Sequence, residues 1–218
     1  DVVGFEQAIA VLNGFNYRPA PVIQGYQAGN ARLARLNGDY YRSPAAPEFV
    51  LLKLQEIDDH YPTLDNASIL VELLHSYRYV LTERDWLLLQ RSPEARPARL
   101  ELIASGEVNR GERISIPPGV VWCTLQIDEN WRGRLFRFLL HRPKEFVEVE
   151  NGAVYPLPAS MAQTPFLVSP LLDRDETFLR LLEGAETEPV SAISVAPGKF
   201  RQLLTQPTVK YQFFRVAE

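Results

Sequence analysis

Residues 146–155 read FVEVENGAVY, and apolar and charged side chains alternate in this segment up to the pair Asn151 and Gly152. Alternation with a period of two is typical of a β-strand that has one buried face. Asn-Gly between two such runs is the strongest short signal for a β-hairpin, because both residues tolerate the positive φ angles of a tight turn. The segment therefore predicts two antiparallel strands joined at Asn151-Gly152.

Further short runs with strand character surround this hairpin in the second half of the chain. They cover residues 99–104, 114–116, 120–127, 166–168, 190–195 and 209–216. Helical spacing interrupts them at 131–140 and 176–182. Many short strands with turn residues between them are typical of all-β layers, so residues 99–218 predict a mostly antiparallel β-sandwich or distorted barrel with inserted helices.

The first 92 residues have a different pattern, in which helical and strand segments alternate as in a small α/β layer. The apolar run 49–54 predicts a central strand buried on both faces, and 79–81 with 86–89 predicts a hairpin. Helices are expected at 5–12, 31–42 and 67–77.

Candidate N-caps precede the second and third of these helices. Asn30 is the expected cap of helix 31–42, and Asp65 or Asn66 that of helix 67–77. In helix 31–42 the apolar spacing predicts a buried face made by Leu33, Leu36 and Tyr40.

A proline-rich segment separates the two halves. Residues 93–98 combine prolines with a lapse of apolar residues, which is typical of a linker. The sequence therefore predicts an α+β protein with an α/β subdomain at 1–92, a linker at 93–98 and a β-rich subdomain at 99–218.

Composition excludes an intrinsically disordered chain, a collagen-like fibre and a disulfide-rich scaffold. Hydrophobic residues make up 46% of the chain and charged residues 23%, the balance of a globular protein. The net charge of −4 argues against a nucleic-acid partner. The single cysteine, Cys123, lies in an apolar run and is expected to be buried and inert, and no motif indicates a cofactor or a multi-histidine metal site.

Asp58, Asp59 and His60 form the sharpest polar cluster, directly after the predicted strand 49–54. Two carboxylates and an imidazole can hold a metal ion or act as a general base. An enzyme built on them, with Arg18 or Tyr26 across a cleft, would perform metal-assisted hydrolysis or glycosyl transfer. The competing interpretation is a solvated turn whose aspartates bind nearby backbone amides.

Aromatic residues offer a different kind of site. Trp131 and Tyr155 lie in the β-rich half, and sugar rings stack on exposed aromatic faces. If these rings are exposed beside a shallow groove, the chain is a free-standing carbohydrate-binding module. If they are buried, they are ordinary core residues.

Several phrases of the sequence together resemble the soluble extracytoplasmic C-terminal domains of bacterial multi-pass membrane proteins, which are partly similar to GT-C-like glycosyltransferases. The phrases lie at 16–26 (NYRPAPVIQGY), 46–51 (APEFVL), 57–62 (IDDHYP), 77–80 (YRYV), 86–89 (WLLL) and 166–172 (FLVSPLL). The resemblance implies a membrane region upstream of these residues and a place on the periplasmic face of the inner membrane. It carries over no catalytic residue.

Our first hypothesis is therefore a non-catalytic extracytoplasmic domain of a bacterial membrane protein that binds a glycan or a protein of the envelope. The enzyme based on Asp58, Asp59 and His60 is the alternative, and the free-standing carbohydrate-binding module is the third. Candidate binding residues are Asp58, Asp59, His60, Arg18, Tyr26, Trp131 and Tyr155.

Overall fold

The structure, a computed structural model, describes residues 1–139, 145–197 and 204–217. Its helices are α1 Ala8–Leu12, α2 Ala31–Arg42, α3 Ala67–Ser76, α4 Trp131–Leu139 and α5 Asp175–Leu182. Its strands are β1 Val2–Val3, β2 Phe49–Leu52, β3 Tyr77–Glu83, β4 Trp86–Arg91, β5 Leu100–Asn109, β6 Arg113–Ser115, β7 Val121–Gln126, β8 Glu145–Val149, β9 Val154–Leu157, β10 Phe166–Ser169, β11 Ala192–Pro197 and β12 Thr208–Val216.

The strands form three four-stranded sheets, with the orders β1-β2-β4-β3, β10-β7-β12-β5 and β6-β11-β8-β9. Within these sheets the short pair β1–β2 is parallel, and the other pairs are antiparallel. The expected α+β class is therefore confirmed.

The second and third sheets pack face to face. Their inner faces share one buried cluster, in which Cys123 and Phe213 of the second sheet meet Val147 and Ile193 of the third. Of the two architectures expected for this half, the chain forms the sandwich, because its strands divide into separate sheets on either side of this core.

A second buried cluster joins the two halves of the chain. Leu70 and Leu73 of α3 pack with Leu87 of β4 on one side and with Trp122 and Leu167 of the sandwich on the other. The outer face of the second sheet is thus covered by the helix layer of the first half.

The predicted linker 93–98 lies against α3. The N–H of Ala98 donates to the buried carboxylate of Glu72 at 3.3 Å, and the Ser76 hydroxyl donates to the carbonyl of Arg96 at 2.8 Å. Glu72 also accepts from Arg42 of α2 at 2.7 Å. The boundary at 93–98 stays a prediction, and in the structure hydrogen bonds tie this segment to the helix before it.

The hairpin around Asn151 is formed, with Glu148 paired to Val154, but its turn differs from the expected one. Gly152 donates its N–H to the Val149 carbonyl at 2.8 Å, so the turn runs through Glu150 and Asn151. Gly152 has a φ of 84°, whereas Asn151 keeps a negative φ. A two-residue Asn-Gly turn needs positive φ at both positions, so the loop is one residue longer.

Helix α2 begins where the sequence predicts. The side-chain oxygen of Asn30 accepts from the N–H groups of Arg32 and Leu33 at 3.0 and 3.1 Å. These bonds satisfy amides that have no partner within the helix, which confirms Asn30 as the N-cap.

The predicted buried face of α2 was wrong at Leu36, which is 46% exposed. The buried positions of this helix are Ala34, Asn37, Gly38 and Tyr41. The face is rotated because the Asn37 amide binds the Val22 backbone in both directions, at 2.8 and 2.9 Å, which brings a polar residue inside.

Strand β2 is central, as expected, but the prediction that both its faces are buried was wrong. Val50 and Leu52 are buried, whereas Phe49 is exposed and Leu51 is half-buried. Phe49 and Leu51 line an open cavity of about 1080 Å³ on the outer face of the first sheet. When every residue of a strand is apolar, no alternation of polar and apolar residues marks an exposed face. The sequence therefore cannot distinguish a strand with one buried face from a strand with two.

Helix α3 begins after Asn66, but within the described residues neither candidate side chain caps it. The Asp65 carboxylate instead accepts from the N–H of Ile57 at 3.0 Å and contacts the ring of His60. The helix expected at 5–12 is shorter and begins at Ala8.

Candidate binding cleft

A cavity of about 890 Å³ opens at one end of the sandwich. Strands β7 and β9 end there and β8 and β12 begin there, because antiparallel neighbours bring these ends together. Segments 126–129, 156–160 and 205–210 form its walls, together with single residues of the surrounding elements. Its size is within the range of small-molecule sites in proteins. We call it the terminal cleft.

The walls of the terminal cleft are mostly polar and present both hydrogen-bond donors and acceptors. Their amides, hydroxyls, cations and carboxylates belong to Gln126, Gln163, Gln206, Ser160, Thr205, Thr208, Arg134, Lys210, Glu107, Asp128, Glu129 and Glu145. Apolar atoms come from Ile127, Leu157 and Ala159 among others. Such a mixture suits a ligand rich in hydroxyl groups better than an apolar one.

One wall is fixed by an ion pair between Arg110 and Glu145. The guanidinium donates to both carboxylate oxygens, at 2.6 and 3.2 Å, and both side chains are almost fully buried. Arg110 also donates from Nε to the Gln206 carbonyl at 2.9 Å. A bidentate ion pair of this kind holds both planar groups in one orientation. Together with the bond to Gln206, it connects the start of β8 to the segment before β12.

His60 reaches the cleft from the first half of the chain. Its Nδ1 lies 3.0 Å from Oδ1 of Asp65, which is buried. This contact holds the imidazole ring in one orientation beside the carboxylate. His60 is also among the residues that line the cleft.

Three hydrogen bonds hold the turn of His60 on the sandwich. The Tyr61 hydroxyl donates to the Val168 carbonyl at 3.1 Å, and the Thr63 hydroxyl donates to the Leu167 carbonyl at 2.8 Å. The Tyr61 N–H donates to the Pro156 carbonyl at 3.2 Å. Both side chains are buried, so the turn belongs to the rigid part of the protein.

Asp58 and Asp59 do not share the position of His60. Both are exposed, and neither is among the described residues that line the cleft. Their φ angles of 56° and 57° place two successive residues in the left-handed region, which Asp tolerates better than most residues. The backbone thus turns sharply before His60, and the three candidates do not converge.

Arg18 and Tyr26 lie elsewhere. Arg18 is exposed and lines the cavity on the outer face of the first sheet. The hydroxyl of Tyr26 donates to the side chain of Gln24 in its own turn. Of the seven candidate residues, His60 alone is among the described residues that line the terminal cleft.

The two aromatic candidates differ in exposure. Trp131 begins α4 and is 68% exposed, with the guanidinium of Arg132 5.3 Å from its ring centre. Glu129 and Arg134, close to it in the chain, line the cleft, whereas Trp131 itself is not among the lining residues. Tyr155 is half-buried, and its ring packs edge-on against Tyr61 at 5.4 Å.

Cys123 is buried between the two sheets, and burial raises the pKa of its thiol, as expected of an inert cysteine. Among residues 1–139, 145–197 and 204–217, His, Cys, Asp and Glu side chains nowhere cluster in the threes that a metal ion would need. In the same part of the chain, each helix is too short or too polar to cross a bilayer.

Sequence reasoning missed most of the cleft. The sequence predicts Asp65 or Asn66 as a helix cap, and the contact between Asp65 and His60 was not predicted. Arg110 and Glu145 are 35 residues apart with no motif around them. The spacing of His60 and Asp65 inside one turn was the available signal. The other wall residues come from strand ends, and only the sheet pairing brings those together.

No match was found when the chain was compared with known protein families, with curated proteins and with solved structures.

Proposed function

We propose that this chain is a non-catalytic binding domain that holds a glycan in the terminal cleft, as an extracytoplasmic part of a bacterial membrane protein. The observation that carries the proposal is the cleft itself, a polar cavity of about 890 Å³. Helix α4, which contributes Arg134 to its wall, begins with the exposed Trp131.

The chemistry of the walls supports a sugar as the ligand. Gln126, Gln163 and Thr208 offer neutral donors and acceptors, and Lys210 and Glu107 offer charged ones. Sugar hydroxyls donate and accept at once, so they match a wall that presents both kinds of group. The buried pair of Arg110 and Glu145 keeps one wall in place without ligand, which lowers the entropic cost of binding.

Trp131 supports the same ligand class. The Trp131 ring is 68% exposed, so most of its apolar surface stays in contact with water. Stacking against the face of a sugar ring would remove that surface from water, which is favourable. A glycan that lies in the cleft and extends across α4 would cover this ring.

The extracytoplasmic location and the upstream membrane region are proposed from the resemblance of six sequence phrases. The free-standing binding module differs from this proposal only in that attachment. Fractionation of cells that express the whole natural gene separates the two: a product recovered with membranes supports attachment, and one released with the periplasmic fraction supports the free-standing module.

Binding is tested by titrating neutral, N-acetylated and uronate-containing tri- and tetrasaccharides into the chain by calorimetry. We expect one of these classes to bind, and Gln163→Ala with Lys210→Ala to weaken it by about tenfold or more. Trp131→Ala should weaken it to a similar extent and remove any ligand-induced change in tryptophan fluorescence.

Asp58→Asn with Asp59→Asn is the matched control, because these exposed side chains lie outside the cleft. Binding that depends on the control pair but not on Gln163, Lys210 or Trp131 would place the ligand at the turn and contradict the proposal. So would a failure of all three saccharide classes to bind.

The pairing of His60 with Asp65 favours a second function, hydrolysis or glycosyl transfer with His60 as the general base. In this version Asp65 orients the imidazole, and Asp58 and Asp59 take no part. Chromatography of the same saccharides after incubation with the chain tests it. Turnover that is lost in His60→Ala and kept in Asp58→Asn supports the enzyme, whereas intact saccharides exclude it for these substrates.

A further inference from the structure

Strand β3 lies at the edge of the first sheet, and most of it is exposed to water. Each residue from Arg78 to Glu83 is exposed, and the successive side chains of Tyr79, Val80 and Leu81 are between 40% and 45% exposed. The outward N–H and C=O groups of an edge strand are a template for a further strand. A strand that pairs with β3 would also cover these apolar side chains.

The other edges of the three sheets are less suited to such pairing. Strands β1 and β6 have only two and three residues, every residue of β10 is buried, and β9 lacks the N–H of Pro156. Strand β5 is long, but its charged residues are Glu101 and Glu107, so a second β5 would bring only like charges to the edge. Within the described part of the chain, the edge of β3 is therefore the best candidate.

The pairing of β3 with β4 determines which main-chain groups face the free edge. Glu83 closes the two-residue turn into β4, and beyond a β-bulge the Ser92 N–H donates to the Ser76 carbonyl at 2.9 Å. Hydrogen-bonded and non-hydrogen-bonded pairs alternate from these two points. The main-chain groups of Tyr79 and Thr82 therefore point away from β4. Because the bulge between them adds one residue, they are three positions apart instead of two.

This spacing selects the strand that can pair with the edge. A regular strand presents its outward groups two residues apart, so it can follow β3 on only one side of the bulge. A second copy of β3, related by a two-fold axis, has the same irregular spacing. Tyr79 of each copy then lies opposite Thr82 of the other, and the edge is paired on both sides of the bulge.

The same register brings opposite charges together. Arg78 and Glu83 are the next residues outward from this pair, so Arg78 of each copy lies opposite Glu83 of the other. Both side chains are on one face of the sheet, because their partners Gln90 and Trp86 are four positions apart in β4. Among the described residues, no salt bridge involves Arg78 or Glu83. Both charges are thus available to a second copy.

We propose that the chain forms a two-fold dimer through the free edge of β3, which joins the first sheets of two copies into one sheet of eight strands. Each contact of a two-fold interface occurs twice, so the dimer gains two pairs between Arg78 and Glu83. Val80 and Leu81 lie nearest to the axis, where the two copies cover them. This surface is separate from the terminal cleft, and the proposal does not depend on what the cleft binds.

The dimer is measured by sedimentation velocity over a range of chain concentrations. We expect association of the parent that increases with concentration. Arg78→Glu and Glu83→Arg should each weaken it by about tenfold or more, because each variant alone places like charges opposite one another at both sites. An equal mixture of the two variants should restore association, since every carboxylate in the mixed dimer again faces a guanidinium.

A second set of variants tests the main-chain pairing. Thr82→Pro removes an N–H that faces the free edge and not β4, so it should abolish the dimer and leave the chain folded. Thr82→Val is its matched control, because it keeps the N–H and should associate like the parent. Glu101→Arg changes an exposed charge on the edge strand of another sheet and should also have no effect. Circular dichroism checks that every variant is folded.

The mixture of Arg78→Glu and Glu83→Arg separates this register from other modes of association. A dimer that forms in the mixture and in neither variant alone supports the two-fold pairing of β3. The proposal is overturned if the parent is monomeric at every concentration or if both single variants associate like the parent. It is equally overturned if the mixture stays monomeric or if a folded Thr82→Pro associates like the parent.

Discussion

At the scale of single residues, the buried pair of Arg110 and Glu145 fixes one wall of the terminal cleft. Both groups are buried, and two of the three side-chain hydrogen bonds of Arg110 go to Glu145. Removal of one partner leaves a buried charge unpaired, whereas replacement of both restores neutrality. The pair therefore contributes more to the shape of the wall than to the net stability of the fold.

We predict that Arg110→Met lowers the free energy of unfolding by about 3 kcal/mol, because the Glu145 carboxylate stays buried without its cation. Glu145→Gln on top of Arg110→Met should recover part of this loss. Urea denaturation of the two single variants and the double variant measures the coupling between them. If the two losses simply add, the pair does not act as one unit.

At the scale of elements, α4 stands out because it carries Trp131 and closes one side of the cleft. Its backbone lies directly on the segment before β12. A Cβ atom added at Gly133 would come within 2.0 Å of the Leu204 carbonyl oxygen. Asn130 donates its N–H to the same carbonyl at 3.1 Å, so glycine is needed for the close approach.

We predict that Gly133→Ala destabilises the protein by about 1–3 kcal/mol and displaces α4, because backbone cannot give way as a flexible side chain can. Binding in the cleft should weaken in parallel. Gly29→Ala is the matched control, since its added Cβ meets nothing within 4 Å, and it should leave stability nearly unchanged. Equal stability of the two variants would show that α4 is not held at Gly133.

At the scale of the whole molecule, the second buried cluster makes the two halves depend on each other. Helix α3 packs with the first sheet and with the sandwich at once. The turn of His60 is bound to β10 through Tyr61 and Thr63. An α/β unit that ended at residue 92 would expose the apolar side chains that now face Trp122 and Leu167.

We therefore predict one cooperative unfolding transition, with circular dichroism and tryptophan fluorescence giving the same midpoint. Leu70→Ala should lower that single transition by about 2–5 kcal/mol, since Leu70 lies in the shared cluster. Two separate transitions, only one of which responds to Leu70→Ala, would support independent subdomains at 1–92 and 99–218.

Local sequence patterns predicted the helices and strands well, but they predicted less well which faces of these elements are buried. The Asn30 cap, the hairpin of β8 and β9 and helix α5 depend on neighbouring residues, so their signals lie within a few positions of each other. The exposed Leu36 and the half-buried Leu51 depend on what packs against them. Hydrophobic periodicity carries no information about that partner.

The candidate site was predicted only in part for the same reason. His60 could be predicted because it belongs to a polar cluster directly after a predicted strand, and its partner Asp65 is only five residues away. The pair of Arg110 and Glu145 and the wall residues Gln126 and Lys210 come together only when separate strands align.

The order of the residues alone determines the α+β class and most of the helices and strands, because hydrogen bonding and turn chemistry act over short separations. The packing of distant segments adds the division into three sheets, the shared core and the cleft. Those features depend on contacts between segments far apart in sequence, and no local pattern encodes them.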